Sequence, residues 1–174
     1  CFALGMCFTP GTWLIMPEEL ILFGILHLLG VCMLLFPLFA PLIRRIPPVV
    51  GMLVSLFLFV FCLHLPDGWL GFSGLFSIRL PRAPYDLGFL AWLGFPGPGF
   101  FSSDYFPLLP WSFAFLAGGF FGVLVKGNRL PGWFYRLHIR PLAFIGRHTL
   151  IVYLLHQPVA YGALWLIFHL AAAR

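Results

Sequence analysis

The chain has 174 residues, of which 61% are hydrophobic and only 9% are charged, and its formal net charge is +5. A soluble domain carries about 25% charged residues to cover its surface, so this composition excludes a water-soluble globular protein. Apolar runs of about 18 residues or more recur, which is the length that crosses a hydrocarbon core of about 30 Å. We therefore predict an all-α, polytopic membrane helical bundle that forms a single transmembrane domain over residues 1–174.

About five spans are predicted along the chain. They cover residues 1–16, 20–43, 49–65, 108–125 and 142–170. Pro37 and Pro41 are expected to kink or end the second span, and Pro158 is expected to kink the fifth. Because the chain starts with Cys1 inside an apolar run, we expect an N-terminal portion of a larger domain to precede it.

A long loop over residues 66–106 separates the third and fourth spans. It is rich in glycine and proline, yet it stays apolar, as in "GWLGFSGLF" and "LGFLAWLGFPGPGFF". Irregular backbone at membrane depth must be buried in protein or line a cavity. We expect this loop to lie on the membrane interface or to dip into the protein.

The distribution of charge predicts the orientation. Loops 44–46 and 126–141 are basic and fall on one side of the membrane by alternation of the spans. The acidic residues fall on the other side: Glu18, Glu19, Asp67, Asp86 and Asp104. By the positive-inside rule the basic loops are cytoplasmic. Since topology accounts for the positive charge, nucleic-acid binding is not expected.

Three polar residues lie near the outer ends of the spans, and two of them, His27 and Asp104, have two interpretations each. His27 lies about eight residues inside the second span, where a polar group must be paired or line a wet cavity; it is either functional or a neutral imidazole bonded to a neighbouring carbonyl. His64, at the end of the third span, is expected to be structural. Asp104 either caps the fourth span or holds and activates an acceptor at the outer mouth.

The four cysteines have no metal-type spacing, and no metal is expected.

The last span carries a polar stripe. Thr149, Tyr153, His156 and Gln157 follow the spacing that shares one helical face. Such a stripe suits a substrate or proton path, and its alternative is a packing face that bonds across to neighbouring helices. For His156 and Gln157 the functional interpretation is favoured.

A basic cluster precedes this stripe. Its members are Lys126, Arg129, Arg136, Arg140, Arg147 and His148. Arginine suits phosphate because its fork of donors matches paired oxygens, so the cluster could bind an anionic cofactor. The alternative is topology signalling and attraction to anionic lipid.

Three blocks of the sequence resemble a known family. The segments "MPEELILFGILHLLGVCMLL", "FFSSDYFPLLPWSFAFLAGGFFG" and "IGRHTLIVYLLHQPV" resemble, in order, blocks of the bacterial relatives of heparan-α-glucosaminide N-acetyltransferase, in the transmembrane acyltransferase superfamily. The resemblance implies an enzyme of a bacterial inner membrane. It would transfer an acetyl or other acyl group from cytoplasmic acyl-CoA to an amino or hydroxyl group of a sugar on the far side.

The resemblance also implies roles for individual residues. His27, Asp104, His156 and Gln157 become candidate catalytic or pathway residues. The candidates for binding the phosphates of acetyl-CoA, the expected co-substrate, are Arg136, Arg140, Arg147 and His148. The other expected partners are a sugar or glycan acceptor, the lipid bilayer and, as one possibility, a second copy in a homodimer.

The chain departs from the family pattern in one respect. The family begins with a helix that bears an acid and an "RG" pair, followed by a segment with its best candidate catalytic histidine, and no part of this chain matches either. Two other functions therefore stay open: a proton-coupled transporter or flippase, for which intramembrane histidines are equally suited, and a non-catalytic membrane fragment.

Overall fold

The computed structural model describes residues 1–15, 21–72, 74–136 and 139–172. The described helices are α1 (Phe2–Ile15), α2 (Ile25–Ile43), α3 (Pro48–Phe61), α4 (Ala83–Asp86), α5 (Leu108–Lys126), α6 (Gly132–Arg136), α7 (Arg140–Arg147) and α8 (Thr149–Ala172). The fold is mostly helical, and its two described strands, β1 (Trp69–Phe72) and β2 (Phe76–Arg79), form one antiparallel hairpin. The predicted all-α class is confirmed. Glu18 and Glu19 lie outside the described residues.

Four described segments are long and apolar enough to cross a membrane. They are Ile25–Ile43, Pro48–Asp67, Leu108–Lys126 and Thr149–Leu170. The first predicted span corresponds to α1, which has 14 residues and is therefore shorter than the roughly 20 residues of a typical transmembrane helix. Together the four apolar helices make this an integral membrane protein.

The chain divides into two compact units, Cys1–Arg129 and Leu130–Arg174. In the first unit, α3 packs along α5, and the buried residues of α3 are Gly51 and Ser55. This four-residue spacing of small residues lets two helix backbones approach closely in a membrane. A Cβ atom at Gly51 would overlap the ring of Phe120 on α5, so a larger residue there would displace that ring.

The long loop after α3 is ordered by two tyrosines. The Tyr85 hydroxyl donates a hydrogen bond to the Leu65 carbonyl oxygen at 2.5 Å, and the Tyr105 hydroxyl donates to that of Ala91 at 2.5 Å. Burial, with a smaller contribution from the charge of Asp67, raises the pKa of Tyr85. Burial, with a smaller contribution from Tyr85, raises the pKa of Tyr105 further. Both phenols therefore stay protonated and able to donate at neutral pH.

In the second unit the structure differs from the predicted fifth span. The helix expected over residues 142–170 is interrupted: α7 ends at Arg147, and His148 has φ −112° and ψ 23°, outside the helical region. The hydroxyl of Thr149 donates to the carbonyl oxygen of Gly146 at 2.8 Å, so a side chain satisfies a carbonyl group that the interrupted helix leaves free. Hydropathy cannot detect such a break, because the residues around it are mostly apolar.

Candidate functional site

The N-terminal end of α2 brings together two residues that lie far apart in the sequence. Oδ2 of Asp104 accepts a hydrogen bond from the backbone N–H of Ile25, the first residue of α2, at 3.2 Å. The first N–H groups of a helix have no partner within it, and a negative charge there also interacts favourably with the helix dipole. The carboxylate of Asp104 therefore caps α2.

This placement corrects one of the two sequence interpretations of Asp104. From the sequence alone, Asp104 was expected to cap the helix that directly follows it, which is α5. The N-cap of α5 is instead Pro107, which makes no side-chain capping hydrogen bond. Asp104 reaches back to a helix that begins 79 positions earlier. Its alternative role, holding an acceptor, stays a prediction.

Gly24 makes this contact possible. A Cβ atom built on Gly24 would lie 2.5 Å from Oδ2 of Asp104 and 3.1 Å from its backbone oxygen. The first distance is far inside van der Waals contact and the second is a few tenths of an ångström too short, so any larger residue at this position would push the carboxylate away and strain its backbone. The glycine is required here by a close approach, since its φ of −96° is accessible to every residue.

His27 is buried at the same helix end, with 3% of its surface exposed. Its Nδ1 accepts a hydrogen bond from the Gly24 N–H at 3.3 Å. The ring stacks on Phe23 at a centroid distance of 5.6 Å and meets the edge of Phe2 at 6.0 Å. A protonated Nδ1 could not accept, so this geometry requires a neutral imidazole whose proton is on Nε2. The arrangement of His27 resembles the second sequence interpretation, a neutral imidazole bonded to a neighbouring backbone group, except that the group is an N–H and not a carbonyl.

Ser102 is a member of this site that the sequence analysis missed. Its hydroxyl oxygen accepts a hydrogen bond from the Leu22 N–H at 3.1 Å, and the Phe106 N–H donates to the Phe23 carbonyl at 3.1 Å. Serine and aspartate side chains are among those that accept hydrogen bonds from free backbone N–H groups. Ser102 and Asp104 in "SSDYF" were therefore the available signal for a capping site. We refer to Gly24, His27, Ser102 and Asp104 as the α2 cap cluster.

The second unit holds its histidines in the opposite way. Nδ1 of His148 lies 3.0 Å from the Phe144 carbonyl oxygen, and Nδ1 of His156 bonds the carbonyl oxygen of Tyr153. A carbonyl only accepts, so Nδ1 carries the proton in both rings, and a neutral ring then presents a lone pair on Nε2. The exposed His156 can therefore act as a base at Nε2.

The arginines predicted to bind a cofactor lie on the short helices of the second unit. Arg140 begins α7 and Arg147 ends it, and both are exposed. Seven positions correspond to nearly two helical turns, so the two residues share one face at a rise of about 10 Å. Arg136 ends α6. Gln157 belongs to α8, and its side chain lies outside the described residues.

The structure thus groups the candidates by unit. It brings His27 and Asp104 together at the start of α2, whereas Arg140, Arg147 and His148 lie on and directly after α7. Among the described residues, no group of three or more His, Cys, Asp or Glu side chains could hold a metal ion.

Four apolar helices, of which α2 is capped by Asp104, and a helix pair rich in arginine and histidine define a polytopic membrane protein with polar sites in both units. Residues 1–158 match the family described as heparan-alpha-glucosaminide N-acetyltransferase, catalytic. The chain therefore belongs to this family of membrane acetyltransferases, as the three sequence blocks indicated. No curated protein and no solved structure matches the chain. Every candidate residue named above lies within the matched range.

Proposed function

We propose that the protein transfers an acetyl or other acyl group from cytoplasmic acyl-CoA to an amino or hydroxyl group of a sugar on the opposite side of the membrane. The family match over residues 1–158 supports this proposal most strongly, because it includes both polar sites. The donor, the acceptor and the orientation of the basic loops are parts of the proposal.

The donor would bind at the basic helices of the second unit. Coenzyme A carries phosphate groups, and the guanidinium fork of arginine pairs with two phosphate oxygens at once. Arg140 and Arg147 present two such forks on one face of α7, and Arg136 adds a third at the end of α6. His148 follows Arg147 directly at the helix break, where its ring supplies a further nitrogen.

The transfer requires a base for the acceptor. Nε2 of His156 would take the proton from the amino or hydroxyl group as that group attacks the thioester carbonyl. The new C–N or C–O bond forms, the C–S bond breaks, and the proton passes to the departing thiolate. Such general base catalysis contributes about 10² to 10⁴ in rate. His27, whose proton is on Nε2, fits a donor role better, while Asp104 and Gln157 stay candidates for the acceptor path.

A transfer assay tests the proposal. Purified protein in liposomes is given radiolabelled acetyl-CoA and a glucosamine acceptor, and labelled product is measured. We expect product, and we expect His156→Ala to lower kcat by about 10²-fold or more. The matched control is His169→Ala, an exposed histidine of the same helix beyond the family match. Equal losses in both variants would remove His156 from the mechanism, and a wild-type protein with no transfer would favour transport.

A binding assay tests the donor site separately. Calorimetry with acetyl-CoA should show binding that weakens about tenfold in Arg147→Ala, a change of about 1.4 kcal/mol. Arg45→Ala serves as the control, because Arg45 is an exposed arginine in the other basic loop. If both substitutions weaken binding equally, general charge attraction explains it. No binding at millimolar acetyl-CoA would end the acyl-CoA proposal.

A further inference from the structure

The β1–β2 hairpin of the long loop turns back towards α3, a direction that composition does not reveal. After α3 the chain turns through a 3₁₀ turn at Leu65–Asp67 and through Gly68, which has φ +83°. The N–H of Trp69 then bonds the carbonyl oxygen of His64 at 3.1 Å. A left-handed φ favours glycine, so this residue permits the sharp reversal. The hairpin therefore starts beside the end of α3.

From this point β1 runs back along α3. The ring of Phe72, the last residue of β1, lies 5.6 Å from that of Phe57 and 6.0 Å from that of Phe61. Phe57 is one helical turn, about 6 Å, further into the helix than Phe61. Both belong to the membrane-crossing segment Pro48–Asp67. The end of β1 that leads to the hairpin tip thus lies at the depth of a spanning helix.

The two ends of the hairpin differ in chemistry. Next to the tip, Leu75 is 90% exposed and Phe76 is 60% exposed. At the open end Trp69 pairs with Arg79, whose guanidinium carbon lies 5.5 Å from the tryptophan ring centroid. Tryptophan is enriched at the membrane–water interface, and arginine keeps its charge in water while its stem covers apolar surface. The residues next to the tip are therefore apolar, and the open end carries residues typical of the membrane–water interface.

We propose that the tip of this hairpin inserts into the adjacent leaflet of the bilayer, where lipid acyl chains cover Leu75 and Phe76. The lipid-facing surface of α3 then continues onto the hairpin through Phe72. This inference does not depend on the acyl-transfer proposal, because it concerns the depth of one element.

The backbone limits how deep the tip can reach. Within the described sheet β2 has one neighbouring strand, β1, so its other edge presents backbone N–H and C=O groups without a strand partner. Hydrocarbon cannot satisfy such groups. The tip should therefore stay in the boundary between headgroups and acyl chains, at the insertion depth of about 5–10 Å that interfacial elements reach.

Spin labels measure this depth directly. The protein is reconstituted into phosphatidylcholine liposomes, with the native cysteines replaced and a single label at Leu75→Cys. Asp86→Cys, exposed in the same loop, and Leu53→Cys, exposed on α3, provide the aqueous and deep references. We expect the Leu75 label to collide with oxygen severalfold more often, relative to a water-soluble nickel reagent, than the Asp86 label does, at a depth shallower than Leu53.

Two results would overturn the proposal. One is a Leu75 label as accessible to nickel as the Asp86 label. The other is a label shielded from both reagents, which would mean that protein, such as a second copy, covers the tip. A second variant tests the contact with α3: adding Phe72→Ala should release the hairpin and shift the Leu75 label towards water. An unchanged Leu75 label would contradict the role of Phe72.

Discussion

The two polar regions of this protein use the same residue type in opposite ways. In the α2 cap cluster, Nδ1 of His27 accepts from a backbone N–H, and Asp104 and Ser102 accept from backbone groups about 80 positions away. In the second unit, His148 at the break after α7 bonds a carbonyl group of α7 four positions away. His156 bonds a carbonyl group of its own helix, α8, three positions away. In the first set Asp104 and Ser102 join distant segments, whereas His27 bonds three positions away and is held between Phe2 and Phe23. In the second set Nε2 is unprotonated in each neutral ring.

This difference in hydrogen bonding suggests that the two regions contribute to different properties, one to stability and the other to activity. A polar group that satisfies a helix end from another segment contributes to holding that segment in place, and it is costly to remove. A histidine bonded only within its own helix contributes little to tertiary structure, so its second nitrogen can serve a ligand or a proton. We therefore expect the α2 cap cluster to determine stability and α7–α8 to determine activity.

The largest expected effect is on His27. His27→Ala should lower the free energy of unfolding by about 2 to 5 kcal/mol, the range for large-to-small changes in a packed site, because it removes both the ring between Phe2 and Phe23 and the acceptor for Gly24. Thermal unfolding in detergent measures it. His156→Ala should leave the Tm unchanged while it lowers activity. His27→Gln should recover part of the Tm, because an amide oxygen can accept from Gly24. A larger Tm loss in His156→Ala than in His27→Ala would contradict the assignment of stability to the α2 cap cluster.

Gly24→Ala should follow in size. The added Cβ would lie 2.5 Å from Oδ2 of Asp104, and such overpacking costs about 1 to 3 kcal/mol. Gly118→Ala is the matched control, because a Cβ at Gly118 meets no atom within 4 Å. Alanine also favours a helix interior over glycine, so the control should be neutral or stabilising. Equal Tm values for the two variants would mean that the loop yields to the methyl group.

Asp104→Ala should cost about 1 to 2 kcal/mol, the usual loss when a helix cap is removed. Asp86→Ala, which removes an exposed acid from the same loop, should leave the Tm unchanged. Limited proteolysis of the loop provides a second measurement, since the loss of the contact with Ile25 should make residues 101–106 easier to cleave. An Asp104→Ala protein as stable as the Asp86→Ala protein would contradict the role of Asp104 as a cap of α2.

The smallest effect should come from Tyr105→Phe, at about 1 kcal/mol for one hydrogen bond near neutral pH. The folded state raises the pKa of Tyr105 above its ordinary value of 10.0, so the unfolded chain ionises first as pH rises. The advantage of wild type over Tyr105→Phe should be complete below pH 10 and diminish above it. Tyr161→Phe, in the exposed face of α8, is the control. A pH-independent difference would contradict the raised pKa.

Much of the fold could be predicted from the order of apolar and charged residues along the chain. The bounds of α2, α3 and α5 lie within a few residues of the predicted spans, because long apolar runs between charged loops have one stable arrangement in a bilayer. The exception is the start of α2, which lies five positions later than predicted. The break at His148 was missed, since hydropathy does not report the backbone dihedral angles that end α7 there. The partner of Asp104 could not be predicted either: sequence periodicity describes neighbours along a helix, and Ile25 is 79 positions away.

The separation of Asp104 and Ile25 by 79 positions in the sequence also has a consequence for biosynthesis. Ribosomes add about 5 to 20 residues per second, so the start of α2 leaves the ribosome about 4 to 16 s before the carboxylate that caps it. During that interval the first turn of α2 must rely on water or on lipid headgroups, and the nascent protein can complete this end of the helix only when the segment before α5 arrives. A substitution in residues 102–106 should therefore delay the maturation of a helix that was translated much earlier.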